Sequence, residues 1–213
     1  MTATERFWDQ IGAYNEATLP MQIIIVIVAL ALTCLVFARP STKINTVMKA
    51  FLSFVFAWNL IYFLIFAKNP IAIFLGVPLF TIVAILFAVD IIRKKIDFKL
   101  PDVTWQKHLT IFWILLVFLY PAIGFVLGHY YPKTCTPMMP CPLTVFAIAL
   151  VTAAIPKVDK KVFVFLLPWA LMGLPKCLGA LECHEDCILF GGGVYGLIML
   201  IRSWKDIEKN QRG

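Results

Sequence analysis

The sequence predicts an all-α fold: a polytopic transmembrane bundle of seven helices, N-terminus outside and C-terminus cytoplasmic. Three observations predict it. Of 213 residues, 61% are hydrophobic and 15% charged, against roughly 45–50% apolar in a soluble domain. The charges fall between long apolar runs, the pattern of an integral membrane protein. Lys and Arg divide between alternate connections as fifteen against four, which orients the chain by the positive-inside rule.

The expected spans are residues 20–38, 46–67, 70–92, 108–128, 142–156, 161–180 and 186–204. Crossing a bilayer takes about 20 apolar residues in helical form. The first four runs and the last satisfy this. The fifth is short, and the sixth holds Pro168 and Pro175, which interrupt helical hydrogen bonding and kink the chain. These two fit tilted, protein-lined or re-entrant segments, and a re-entrant pair would leave the parity of the others unchanged. No soluble domain is left over. The chain divides into an outer interfacial segment (1–19), a membrane domain (20–204) and a cytoplasmic tail (205–213). No basic leader and no small-residue cleavage site are visible, so the first run reads as a span rather than a signal peptide. The expected location is the cell's inner (plasma) membrane.

In the first segment Phe7, Ile11 and Tyr14 recur at helical spacing with Trp8 beside them, which predicts a short amphipathic helix on the outer interface. Within the spans Asn59 should bond to a neighbouring helix. Asp90 has Arg93 and Lys94 at i+3 and i+4, so a local ion pair is expected. Gly192 and Gly196 form a small-xxx-small pair for close packing. Cys34 reads as an inert core residue.

The remaining five cysteines lie in two loops that fall on the outer side, running from His129 through Cys135 and Cys141, and from Cys177 through Cys183 to Cys187. Three readings of them compete. Disulfides tie the loops together in an oxidising compartment, although five cysteines leave at least one thiol unpaired. Alternatively, Cys135, Cys141, Cys177, Cys183, His184 and Cys187 hold a soft metal ion such as copper or zinc, with His129, Met138 and Met139 as accessory ligands. In a helix, Cys183 and Cys187 would stand one turn apart on one face, and thioethers favour soft ions. The third reading is thiol redox exchange. The spacing matches neither a zinc finger nor a C-x-x-C oxidoreductase. His108 belongs to the opposite side of the membrane.

Ala13-Tyr14-Asn15-Glu16-Ala17, Gly128-His129-Tyr130-Tyr131-Pro132 and Pro140-Cys141-Pro142-Leu143-Thr144-Val145-Phe146 resemble segments of an uncharacterised family of bacterial polytopic membrane proteins of unknown function. The resemblance implies an architecture and no mechanism, and in it the second cysteine loop is a local addition. Independently, Pro142 suits the first turn of a helix, and Thr144 can bond locally to backbone there.

The net charge of +7 is explained by cations at the cytoplasmic side, where they meet anionic lipid. Expected partners are therefore membrane lipid and a second copy or another membrane protein, with no nucleic acid. Hydrolase motifs are missing, and the reading leans away from an enzyme. Two function classes follow: a transporter, sensor or accessory protein handling a soft metal or thiol reagent at the outer face, or a non-catalytic module stapled by outer disulfides that binds lipid or a partner protein. The orientation has a direct check. With the other thiols removed, a Lys133→Cys variant should react with a membrane-impermeant thiol reagent in intact cells; reaction only after lysis contradicts it.

Overall fold

The structure, a computed structural model, describes residues 1–212, and every regular element among them is helical. Gly213, the end of the expected tail, lies outside the described residues. Helix α1 (Ala3–Ala38) opens on a capping box: Glu5 N–H donates to Thr2 Oγ1 at 3.1 Å, and Thr2 N–H donates to the Glu5 carboxylate at 2.6 Å. This satisfies donors that a first turn leaves free. The helix continues unbroken for 36 residues with Pro20 inside. The expected interfacial helix is thus not separate but the first half of the helix that contains the first expected span. At about 1.5 Å per residue its length is about 54 Å, well beyond a bilayer's hydrocarbon core.

Helix α2 (Thr42–Trp58) is capped by Ser41 and runs through Asn59 into a π turn (Tyr62–Phe66). Helix α3 (Pro70–Arg93) starts with Asn69 as cap and Pro70 in its first turn. Helices α4 (Thr104–Phe118) and α5 (Tyr120–Val126) meet at a 60° bend, where Pro121 offers no N–H to the preceding turn. Then come α6 (Pro140–Ala153), α7 (Lys160–Leu171), the short α8 (Leu174–Cys177), a 3₁₀ turn (Ala180–Glu182), α9 (Asp186–Arg202) and α10 (Trp204–Arg212). The sixth apolar run is therefore broken into α7 and α8, between its two prolines.

Helix lies in every expected span, yet by length and composition only α1, Thr42–Phe66 and α3 are fit to cross a membrane alone, with α4–α5 a fourth if the bent pair counts as one. Helix α6 has 14 residues, 13 of them buried. A helix apolar all round must be enclosed, and α6 is enclosed by α4, α7 and α9, with α3 packed on α2 and α7 and α1 against α2. Glycines set the α9 contact. A Cβ at Gly196 would lie 2.8 Å from Ile148 of α6, and one at Gly193 would lie 2.8 Å from Ala170 of α7. The small-residue face is thus where α9 meets both helices. Outward, Ile23, Ile27, Phe74, Ile85, Phe112 and Leu115 are exposed; where large apolar side chains cover a surface, it faces lipid or a partner. Cys34 is exposed too, so it is a surface residue of α1 and not a core one.

Two polar expectations resolve differently. Asn59 is buried, but its amide donates to Met138 O at 3.0 Å, in a loop, as well as to Val55 O in its own helix. Asp90 pairs with Lys49 of α2 at 2.7 Å, both side chains nearly inaccessible, and not with Arg93 or Lys94, which are exposed. Its carboxylate also accepts from the N–H groups of Lys95 and Ile96 at 2.9 and 3.0 Å. Desolvation explains the choice: α3 ends at Arg93 and Lys94 turns left-handed, φ 54°, so those two side chains leave toward solvent while Lys49 is held in. Breaking a buried pair strands a charge at a cost of about 3–5 kcal/mol. Lys49→Met should lower unfolding stability in detergent by that order, whereas Arg93→Ala should stay within about 0.5 kcal/mol; equal effects would contradict the pairing.

Candidate functional site

The two cysteine loops meet at one end of the bundle, strapped together by the first half of α1. Trp8 Nε1 donates to Leu181 O at 3.0 Å in the second loop, and its ring stacks on His129 of the first, centroids 3.8 Å apart. Asn15 Nδ2 donates to Pro132 O and Thr134 O at 2.6 and 2.7 Å. Gln22 accepts from Thr136 Oγ1 and donates to Asn15 Oδ1. Gln10 accepts from Lys68 N–H at 3.0 Å, and Lys133 pairs with Asp9 at 2.6 Å. Gln10, Asn15 and Gln22 are buried; three buried amides on one helix keep loop backbone satisfied where water is excluded. The sequence signal was there in Asn15, Thr18 and Gln22, which recur at i, i+3 and i+7 on α1, while Gln10 stands off that face.

Beneath the strap, Asp186 begins α9. It is buried, and three side chains from three other helices donate to its carboxylate: Tyr120 OH at 2.6 Å, Lys176 Nζ at 2.8 Å and the Cys141 thiol at 3.4 Å. The first turn of a helix favours an anion, and Lys176 neutralises it. Lys176 Nζ also lies 3.6 Å from Cys141 Sγ and 5.2 Å from the centre of the Phe7 ring. Thr144 Oγ1 donates to Pro140 O at 2.8 Å, the local bond that steadies Cys141 in the first turn of α6. Next to Asp186, Glu185 is also buried and shares a hydrogen bond with His129 Nδ1. Its second oxygen and Thr134 Oγ1 lack partners among the described residues. Both side chains crowd Gly124, where a Cβ would come within 2.9 Å of Glu185 Oε1 and 3.2 Å of Thr134 Oγ1.

The six named candidate ligands separate into four settings. Cys177 and Cys187 form a disulfide, which stays inside the second loop rather than joining the two. Cys135 and Cys183 are buried free thiols, hydrogen-bonded to each other across the loops. Cys141 stands against Asp186 and Lys176. His184 is exposed, with Nδ1 3.4 Å from Cys177 O. Cys183 and Cys187 do not share a helical face, because α9 starts only at Asp186. Met138 and Met139 are buried, and Met139 Sδ accepts from Thr136 N–H at 3.4 Å. Among the described residues no three His, Cys, Asp or Glu side chains converge to hold a metal ion. The thiol pair stays protonated. For Cys183, the hydrogen bond with Cys135, then burial, then nearby Asp186 push the thiol well above its ordinary value. For Cys135, the hydrogen bond with Cys183 pulls it down, but burial and Asp186 outweigh that and the net shift is upward. Neutral thiols are poor nucleophiles and poor metal ligands.

A cavity of about 110 Å³ opens beside this cluster. Phe7 and Ile11 of α1, Tyr62, Ala72 of α3, Trp169 of α7 and Leu189 of α9 form its apolar walls; Cys135, Cys141 and Lys176 supply polar edges. The Trp169 indole N–H is buried without a partner among the described residues. Tyr120, Lys176 and Trp169 carry no motif, and sequence reasoning missed them as site residues.

The chain belongs to the family of unknown function DUF6064, whose family model matches residues 4–211. No curated protein and no solved structure matches it.

Proposed function

We propose that this protein is a multi-pass membrane protein, its cysteine loops on the extracytoplasmic side, that binds a small, largely apolar molecule in the cavity under α1. The observation that carries this reading is the cavity's composition: apolar walls with a few convergent polar groups, Cys141 and Lys176 foremost, the usual make-up of a small-molecule site. The bound molecule would present one hydrogen-bonding polar group to Cys141 and Lys176. The membrane assignment is supported by three helices long and apolar enough to cross, by the exposed apolar side chains and by the fifteen-to-four division of Lys and Arg; seven apolar segments, N-terminus out, in the inner membrane accord with all three.

Binding is favoured over catalysis because the free thiols are held as neutral donors: Cys141 gives its proton to the Asp186 bond, and a thiolate there would set two anions side by side. A soft-metal role has less support, since Cys177 and Cys187 are bonded to each other and the Lys176 ammonium stands beside the Cys141 thiol. The disulfide Cys177–Cys187 fits a staple that fixes where α9 begins.

The test uses membranes containing a Cys34→Ser variant. N-ethylmaleimide, small and uncharged, should modify Cys141 ahead of Cys183, while a quaternary-ammonium methanethiosulfonate should modify neither. Filling the cavity with Ala72→Phe should slow the Cys141 reaction by about tenfold, roughly 1.4 kcal/mol in barrier. Equal reaction with both reagents, or a Cys141 rate indifferent to Ala72→Phe, would show that the cavity does not admit apolar molecules.

A further inference from the structure

At the opposite end of the bundle a second cavity, polar and about 430 Å³, lies between the start of α2 and the chain that follows α3. Five cationic side chains border it: Lys49, Arg93, Lys94, Lys95 and Lys157. Lys49 is neutralised by Asp90 and Lys157 by Asp97 at 3.3 Å. The side chains of Arg93, Lys94 and Lys95 have no acidic partner among the described residues. We propose that this cavity binds a phosphate-bearing anion.

Positive-inside charge alone would scatter cations over loops; here they are gathered around a preformed concavity. Lys94 sits at φ 54°, a left-handed conformation uncommon outside glycine, asparagine and aspartate, and it turns three successive cations out of the helix at the rim. That turn is held from beneath, where Asp90 accepts from the N–H groups of Lys95 and Ile96. Two further bonds fix the following chain to α2, Phe98 N–H to Asn45 Oδ1 and Asn45 Nδ2 to Phe98 O, and Asp97 N–H donates to Lys157 O at 3.1 Å. The backbone that carries the three unpaired cations is thus placed before any ligand arrives, so binding orders their side chains but not the chain itself. A phosphate satisfies clustered Lys and Arg with charge-assisted hydrogen bonds. The cavity is wider than one phosphate requires, which suits a headgroup or phosphate ester. If the proposed topology holds, this end faces the cytoplasmic leaflet, where anionic phospholipid is the nearby source; a soluble phosphate ester is the other.

The full chain in neutral detergent tests this irrespective of orientation. Lipid retained in native mass spectra and thermal shifts are compared for phosphatidylglycerol, phosphatidylcholine and glycerol 3-phosphate at constant ionic strength. Wild type should prefer phosphatidylglycerol over phosphatidylcholine. The variant Arg93→Gln/Lys94→Gln/Lys95→Gln should weaken that binding by at least about tenfold, while Lys43→Gln/Lys107→Gln/Lys209→Gln, which removes the same charge outside the cavity, should retain it. Competition by glycerol 3-phosphate assigns a soluble ligand, and lack of competition assigns the lipid. No preference in wild type, or equal loss in both triple variants, overturns the proposal.

Discussion

The buried carboxylate of Asp186 is the constraint on which the cysteine-loop end of this molecule depends. An anion without water must be met by donors, and here each donor comes from a different helix: Tyr120 from α5, Cys141 from α6, Lys176 from α8. One carboxylate at the start of α9 therefore fixes four helix ends relative to one another. The break between α7 and α8 places Lys176 within reach of it. Gly173 permits that approach, because a Cβ there would lie 3.0 Å from Asp186 O. The disulfide between Cys177 and Cys187 closes the same corner, one residue beyond each partner of the ion pair.

The cavity follows from this arrangement. Cys141 and Lys176, drawn together by Asp186, form its polar edge, and α1 lies across it as a cover with Phe7 and Ile11 toward it. Helix α1 can do so only by running past the length a bilayer requires. Its buried amides then take the place of water for the backbone of the loops, the role solvent would have at an uncovered end. Lys49 and Asp90 perform a similar service at the other end, joining α2 to α3 and setting the turn that follows.

Composition and charge patterning made the helical class, the positions of the apolar segments and the meeting of the two cysteine loops legible in the sequence. The same reasoning stopped at contacts between residues far apart in the chain. Asp90 had two cations at helical spacing, yet its partner is Lys49, 41 residues away, because burial and not proximity in sequence selects a partner for a desolvated charge. Cys183 and Cys187 read as one helical face, but α9 starts three residues later than that reading needs. The amphipathic segment read as a separate helix because its apolar periodicity and charges set it apart from the apolar run that follows, whereas α1 runs unbroken through Pro20. Tyr120 and Lys176 had no signature, since a hydroxyl and an ammonium gain meaning only from the carboxylate they reach.

The most direct test is a double-mutant cycle on Asp186 and Lys176, using Asp186→Asn and Lys176→Met and equilibrium unfolding in mixed micelles. If the pair organises the cysteine-loop end, each single change strands a buried group, and the double change costs less than the sum by about 1–3 kcal/mol. Additivity within about 0.5 kcal/mol would mean that Lys176 and Asp186 act independently, and that the Asp186 carboxylate is not what organises the cysteine-loop end.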